Sequence, residues 1–169
     1  MVDYQNILLA ADFSVHGNYV ASRAKRLAAL CNARLSIIHV VDNISMPDTA
    51  YGTVIPLGED SSYELLEAKK SKLTEIGDQF GIDVSRRWLV WGVPGHEIVQ
   101  VAEQEHIDLI VAGSHGRHGL ALLLGSTANS ILHHAKCDVM AIRLQEGDTQ
   151  RLSGVNALPG CNGAKNSGL

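Results

Sequence analysis

A doubly wound parallel α/β sheet with helices on both faces is the fold that this 169-residue sequence predicts. Strand-like and helix-like patterns alternate in the order βαβαβαβαβ, which puts a crossover helix between successive parallel strands. Runs such as Ile7-Leu8-Leu9-Ala10-Ala11 and Ile107-Asp108-Leu109-Ile110-Val111-Ala112 are nearly continuous in apolar residues, as strands covered on both faces must be. In such sheets ligands bind beyond the carboxyl ends of the strands, where the strand order reverses. Here those ends are Asp12, Val41-Asp42, Gly92 and Gly113.

The elements follow in order. Asn6 to Ala11 reads as a strand ending at Asp12, and Ser14 is placed to cap a helix with Val20, Ala24, Leu27, Ala28 and Cys31 at helical spacing. Asn32 ends that helix, because Asn tolerates the left-handed conformation. Leu35 to Val41 is the second strand, and Asp42 to Asp60, with Pro47, Gly52, Pro56 and Gly58, reads as a long loop. Ser61 and Glu64 have capping-box spacing for a helix that puts Leu66, Leu73, Ile76 and Phe80 on one face and closes at Gly81. Val84 to Trp91 reads as the third strand, with Trp88 and Trp91 on opposite faces because they are three apart. Gly92-Val93-Pro94-Gly95 turns into a helix carrying Ile98, Val101 and Ala102. Ile107 to Ala112 is the fourth strand, the next helix holds Ala128, Ile131, Leu132 and Ala135, and Asp138 to Leu144 is the fifth strand. Residues 147–169 are rich in Gly, Asn and Ser without an apolar period, so the folded domain is expected over 1–146 and a flexible tail beyond it.

Composition narrows the function. A hydrophobic content of 46% with 19% charged residues fits one ordinary globular domain. A formal charge of −4 argues against a general nucleic-acid binder. No apolar run approaches the roughly 20 residues that span a bilayer, and Met1 to Gln5 lacks a signal-peptide pattern. Cys31, Cys137 and Cys161 are widely spaced, as in reduced, mostly buried thiols, so a cytoplasmic protein is expected. His115 and His118, or His133 and His134 with Cys137, do not make a converging set of metal ligands, and no metal is expected. The chain has no G-x-S-x-G elbow, and Ser14 and Ser126 sit where helix caps belong, so no catalytic triad is expected.

The segment Gly113-Ser114-His115-Gly116-Arg117-His118-Gly119-Leu120-Ala121-Leu122-Leu123-Leu124-Gly125-Ser126 links the fourth strand to a helix start. Glycines at a strand end let a backbone approach a phosphate, and a helix N-terminus offers N–H groups and a positive dipole end. Gly113, Gly116, Gly125 and Ser126 are the candidate phosphate contacts. His115, Arg117 and His118 are either neighbours of that phosphate or solvated loop residues.

These residues, with Ile7 to Asp12, His39-Val40-Val41, Gly92-Val93-Pro94, Asp108 to Gly116 and Asp138 to Ile142, fall in the order seen in universal stress proteins. The resemblance covers residues 4 to about 144 and looks most like the universal stress protein A branch. It implies a single five-stranded, Rossmann-like sheet of order 3-2-1-4-5 and a cytoplasmic stress-response regulatory module. It also implies a homodimer paired through the last strand, Asp138 to Leu144. Family members that bind ATP carry G-x2-G-x9-G-[ST], whereas the universal stress protein A branch lacks that motif and does not bind ATP. This chain keeps Gly113, Gly116, Gly125 and Ser126 but has eight residues, Arg117 to Leu124, where the motif has nine. Both outcomes stay open on that count.

If the loop works, ATP or another adenine nucleotide is the ligand. Asp12 then matches the acidic residue near ribose and phosphates, and Val41 the position whose backbone meets adenine. Without a ligand, Asp12 is a strand-end or cap carboxylate and Val41 is core. Two functions compete: a binding or regulatory module without a reaction of its own, and a slow ATPase or adenylate-handling enzyme. The chain lacks a P-loop lysine motif, a clear general base and a conspicuous magnesium-ligand cluster, which weighs against the enzyme. Flavin binding of the electron-transfer flavoprotein kind has a related sheet but no specific signal.

Overall fold

The structure, a computed structural model, describes residues 4–14, 16–42, 59–114 and 124–143, with side chains of 59–63 left aside. Five parallel strands, β1 (Asn6–Ala10), β2 (Arg34–Val41), β3 (Arg87–Trp91), β4 (Leu109–Gly113) and β5 (Asp138–Ile142), form one sheet of order β3-β2-β1-β4-β5. This is the 3-2-1-4-5 order that the resemblance implies. Four helices cross between them: α1 (Gly17–Cys31), α2 (Glu59–Gln79), α3 (Pro94–Gln104) and α4 (Ser126–His134).

β1 is the centre. It pairs with β2 from Asn6↔Arg34 to Ala10↔Ile38 and with β4 from Ile7↔Leu109 to Ala10↔Ala112. Alternation divides its side chains. Ile7 and Leu9 join Val20, Ala21, Ala24 and Ala28 of α1 and Leu73 and Ile76 of α2. Leu8 faces the other way, toward Ile98, Val101 and Ala102 of α3 and Ile131 of α4. The alanines on α1 let its axis lie close to the sheet. Between α3 and α4 contact is closer still, since a Cβ on Gly95 would collide with the Ser130 side chain. As expected, Trp88 packs into the core on the α3/α4 side while Trp91 is 47% exposed.

Several element ends differ from the sequence expectation. α1 starts at Gly17 with His16 as its N-cap residue, and Ser14 contributes no cap. Asp12 supplies the turn instead: its Oδ1 accepts the Ser14 N–H at 2.9 Å, and the Ser14 hydroxyl has no partner among the described residues. The Gly17 N–H, which a Ser14 cap would bind, goes instead to the Ser14 carbonyl at 3.0 Å. α2 starts at Glu59, ahead of the Ser61–Glu64 capping box, so that box is interior to the helix. Val84 to Arg86 is a 3₁₀ turn rather than strand, with Asp83 accepting the Ser85 N–H at 2.8 Å. The turn brings Arg87 under α2, where its Nε donates to the Ile82 carbonyl at 2.9 Å and its guanidinium meets Asp78 at 2.8 Å. A Cβ on Gly77 would strike that guanidinium. β4 begins at Leu109, leaving Ile107 buried just ahead of it. β5 ends at Ile142, and Leu144 lies outside the described residues.

The cap at the end of α1 is as expected. Asn32 is left-handed at φ 53°, and the Ala33 N–H returns to the Ala28 carbonyl at 2.8 Å. The free thiols of Cys31 and Cys137 are only half-buried, less than expected, and Cys161 lies outside the described residues. The proposed tail from 147 and most of the long loop (43–58) lie outside them as well.

Asp108 ties the amino end together. Its carboxylate accepts the backbone N–H groups of Gln5 at 2.7 Å and Asn6 at 3.1 Å. Its carbonyl accepts the Asp138 N–H at 3.2 Å, and Tyr4 donates its hydroxyl to Asp138 at 2.9 Å. One acidic residue thereby joins the starts of β1, β4 and β5. Asp108→Ala is expected to lower stability by about 1–3 kcal/mol, because two N–H groups lose their acceptor, measured as a lower urea midpoint. Ser36 gives the opposite case. It is 0% exposed in β2 and its hydroxyl has no partner among the described residues. Ser36→Ala should therefore leave the urea midpoint unchanged or raise it by up to about 1 kcal/mol of stability.

Candidate functional site

α1 and α2 cover one face of the sheet and α3 and α4 the other, so the winding reverses between β1 and β4. The crevice beyond their carboxyl ends is where such a sheet binds ligands. Asp12 lies two residues past β1, and Gly113 ends β4 directly past the Ala10↔Ala112 pair. Val41 ends β2 on the other side of β1. The fold thus gathers Asp12, Val41 and Gly113 at one end of three adjacent strands.

The chain leaving β1 is held in an uncommon conformation. Phe13 has φ 56°, in the left-handed region that favours glycine. Its ring stacks on the imidazole of His39, with centroids 3.7 Å apart and planes 16° from parallel. His39 is buried, and its Nδ1 lies 2.6 Å from the Ala11 carbonyl, which can only accept, so Nδ1 carries the proton. The Lys69 ammonium of α2 lies 5.5 Å from the centre of the Phe13 ring. These contacts fix the turn that aims Asp12. The sequence places His39 in the second strand and by itself assigns it none of these contacts. The available signal was a histidine inside the apolar run Ile37 to Val41, where a buried polar group must find a partner.

The Asp12 carboxylate stays partly accessible, and a Cβ on Gly17 would lie 3.8 Å from its Oδ1, at the start of α1. Among the described residues its one bond is to the Ser14 N–H. Val41 is 3% exposed, so its side chain is core, and its carbonyl accepts the Gly92 N–H at 3.1 Å.

The glycine loop has a closed neck. Ser114 is buried, its N–H donates to the Ile142 carbonyl at 2.8 Å, and its carbonyl accepts the Gly125 N–H at 2.8 Å. The Gly125 N–H is therefore engaged with the protein rather than held for phosphate. Gly125, not Ser126, is the N-cap residue of α4, and it has no side chain with which to cap. Ser126 is the first helical residue, and its N–H has no acceptor among the described residues. This departs from the expected role of Ser126 as a cap; no described residue occupies this helix start, the kind of place where an anion can bind. Gly116, His115, Arg117 and His118 lie outside the described residues.

Burial pushes the Cys137 thiol pKa up, which keeps it protonated at neutral pH. No three His, Cys, Asp or Glu side chains among the described residues are arranged to hold a metal ion. No helix among them is long and apolar enough to cross a membrane.

Comparison with known proteins agrees with this architecture. The chain matches the universal stress protein family over residues 3–143. It is 39% identical over 146 residues to Universal stress protein A homolog 2 of Coxiella burnetii, an alignment that covers 86% of this chain and 99% of that protein. The solved universal stress protein UspA from Lactobacillus plantarum is 30% identical, with a TM-score of 0.66 over 85% of this chain and all of that one, 100%. A universal stress protein crystallised in complex with cAMP has the same fold, at 23% identity and a TM-score of 0.61 over 83% of this chain and 98% of that one. With its sheet order, its switch point and this family match in agreement, the chain belongs to the universal stress protein family.

Proposed function

We propose that this protein is a homodimeric regulatory module of the stress response that binds an adenine nucleotide at the carboxyl ends of β1, β2 and β4. The observation that carries the nucleotide reading is the closed neck of the glycine loop. With eight residues between Gly116 and Gly125, the Ser114 carbonyl still meets the Gly125 N–H at 2.8 Å. The shorter loop therefore does not pull the start of α4 away from the end of β4. In this reading the phosphates lie against Gly113, Gly116 and the Ser126 N–H, the ribose near Asp12, and adenine beside the backbone at Val41. That a protein of this fold has been crystallised with cAMP fits the same ligand class.

The domain is assigned to 1–146 and the tail to 147–169, in the cytoplasm. The competing reading, a slow ATPase, would appear as product during long incubation.

Titration with ATP, ADP, AMP and cAMP tests the binding reading. A ligand that binds only the folded state at about 100 times its Kd adds about 2.7 kcal/mol, so the melting temperature should rise. Gly113→Val should abolish most of that rise while the unliganded protein keeps its fold. Absence of any shift at about millimolar nucleotide removes the proposal.

The dimer is assigned to β5, the edge of the sheet. Its Met140 is 36% exposed and Leu132 of the adjoining α4 is 47% exposed. An exposed apolar edge strand recruits another strand unless it is covered. Sedimentation should show a dimer at about micromolar concentration, and Met140→Lys a monomer, since a charge on an edge strand opposes pairing. A wild-type monomer at that concentration sinks this part.

A further inference from the structure

At the amino end of the sheet, opposite the glycine loop, a cleft of about 290 Å³ opens between the last turns of α1, the start of β2 and the connection from α2 to β3. Its floor is apolar, with Ala28 4% and Leu35 8% exposed. Its walls carry Lys25 from α1, Arg34 from β2 and Arg86 from the 3₁₀ turn. None of these cations has an ion-pair partner among the described residues, whereas Lys70, Lys72, Arg87 and Lys136 are all paired. Lys25 reaches across the gap: a Cβ on Gly81 would lie 3.6 Å from its Nζ.

Two nearby features bear on an anion here, the carbonyls at the end of α1 and the Asp83 carboxylate. The Ala28 and Ala29 carbonyls at the end of α1 accept the N–H groups of Ala33 and Asn32. The helix end therefore presents fewer bare carbonyls to the cleft. Asp83, the carboxylate among the lining residues, accepts the Ser85 N–H at 2.8 Å as well as the Ser85 hydroxyl; these bonds lower its pKa and keep it ionised, so its charge offsets one of the three cations. Three cations thus face one committed carboxylate, in a chain whose overall charge is −4. Local positive charge of this kind raises the concentration of anions at the cleft.

We propose that this cleft is a second, separate anion site, which takes a small phosphate-bearing ligand between Lys25, Arg34 and Arg86. Cations approaching from three elements match the oxygens that phosphate presents in several directions, and the arginine forks can each engage two of them. A planar carboxylate satisfies one such fork and leaves the others unused.

Pyrophosphate is the probe, added to the full chain and followed by amide NMR. Saturable shifts are expected at Asn32, Ala33, Gly81 and Asp83. In the double variant Lys25→Gln/Arg34→Gln the apparent affinity should fall by at least about tenfold, the scale of one lost charge-assisted hydrogen bond. Both side chains are exposed, and an unchanged melting temperature confirms that the variant is folded. Should the double variant fail to fold, Lys25→Gln alone makes the same comparison on the surface of α1. The site is refuted if no saturable shifts occur, if they survive the charge removal, or if they appear only at Gly113, Gly125 and Ser126. Citrate binding as tightly as pyrophosphate would refute phosphate as the ligand class.

Discussion

The architecture depends on the pairing of β1 on both of its edges. A strand covered on both faces has no water to satisfy its N–H and C=O groups, so both neighbours must supply them. β2 does so on one side and β4 on the other, while the helices on the two faces leave Ile7, Leu8 and Leu9 at most 1% exposed. Because the crossovers leave β1 toward β2 on one face and reach β4 on the other, the helices part at this strand. The crevice between the ends of β1 and β4 is a geometric consequence of that parting.

The two ends of the sheet are built from different chemistry. At the amino end, Asp108 and Tyr4 use their polar groups up on neighbouring backbone and on Asp138, an arrangement that stabilises the sheet and leaves little to offer a ligand. The hydrogen bond that Tyr4 donates to Asp138 also raises the tyrosine pKa, which keeps the donor protonated. At the carboxyl end, the stacked Phe13 and His39 and the Ser114–Gly125 neck hold the turns, while among the described residues Asp12 and the start of α4 keep unused bonding capacity. Rigid supports beside unsatisfied polar groups are what a binding site requires. The α1–β2 corner departs from this division, since its cations have no ion-pair partner among the described residues.

Much of this was legible in the residues. The alternation of strands and helices, the burial of the central runs, the left-handed cap at Asn32 and the opposed tryptophans all follow from spacing over a few residues. The element ends were read less well. Ser14, Ser61 and Ser126 each looked like an N-cap, and none is the N-cap residue of its helix. A serine is one acceptor among several, and which acceptor wins depends on groups brought in by neighbouring turns, such as Asp12. Val84 looked like strand, but the demands of placing Arg87 beneath α2 turned the chain there.

By itself the sequence determined the class of fold, the number of strands and the residues that would stand at their carboxyl ends, because hydrophobic periodicity acts locally and needs no partner. Tertiary structure decided what those residues have left to bind with. The Gly125 N–H is committed to Ser114, the Ser126 N–H has no acceptor among the described residues, and Asp12 spends one oxygen on its own turn. It also brought Lys25, Arg34 and Arg86 around one cleft from distant parts of the chain. Hydrogen bonds and charges of this kind are settled by competition among groups far apart in sequence, and only the folded chain brings the competitors together.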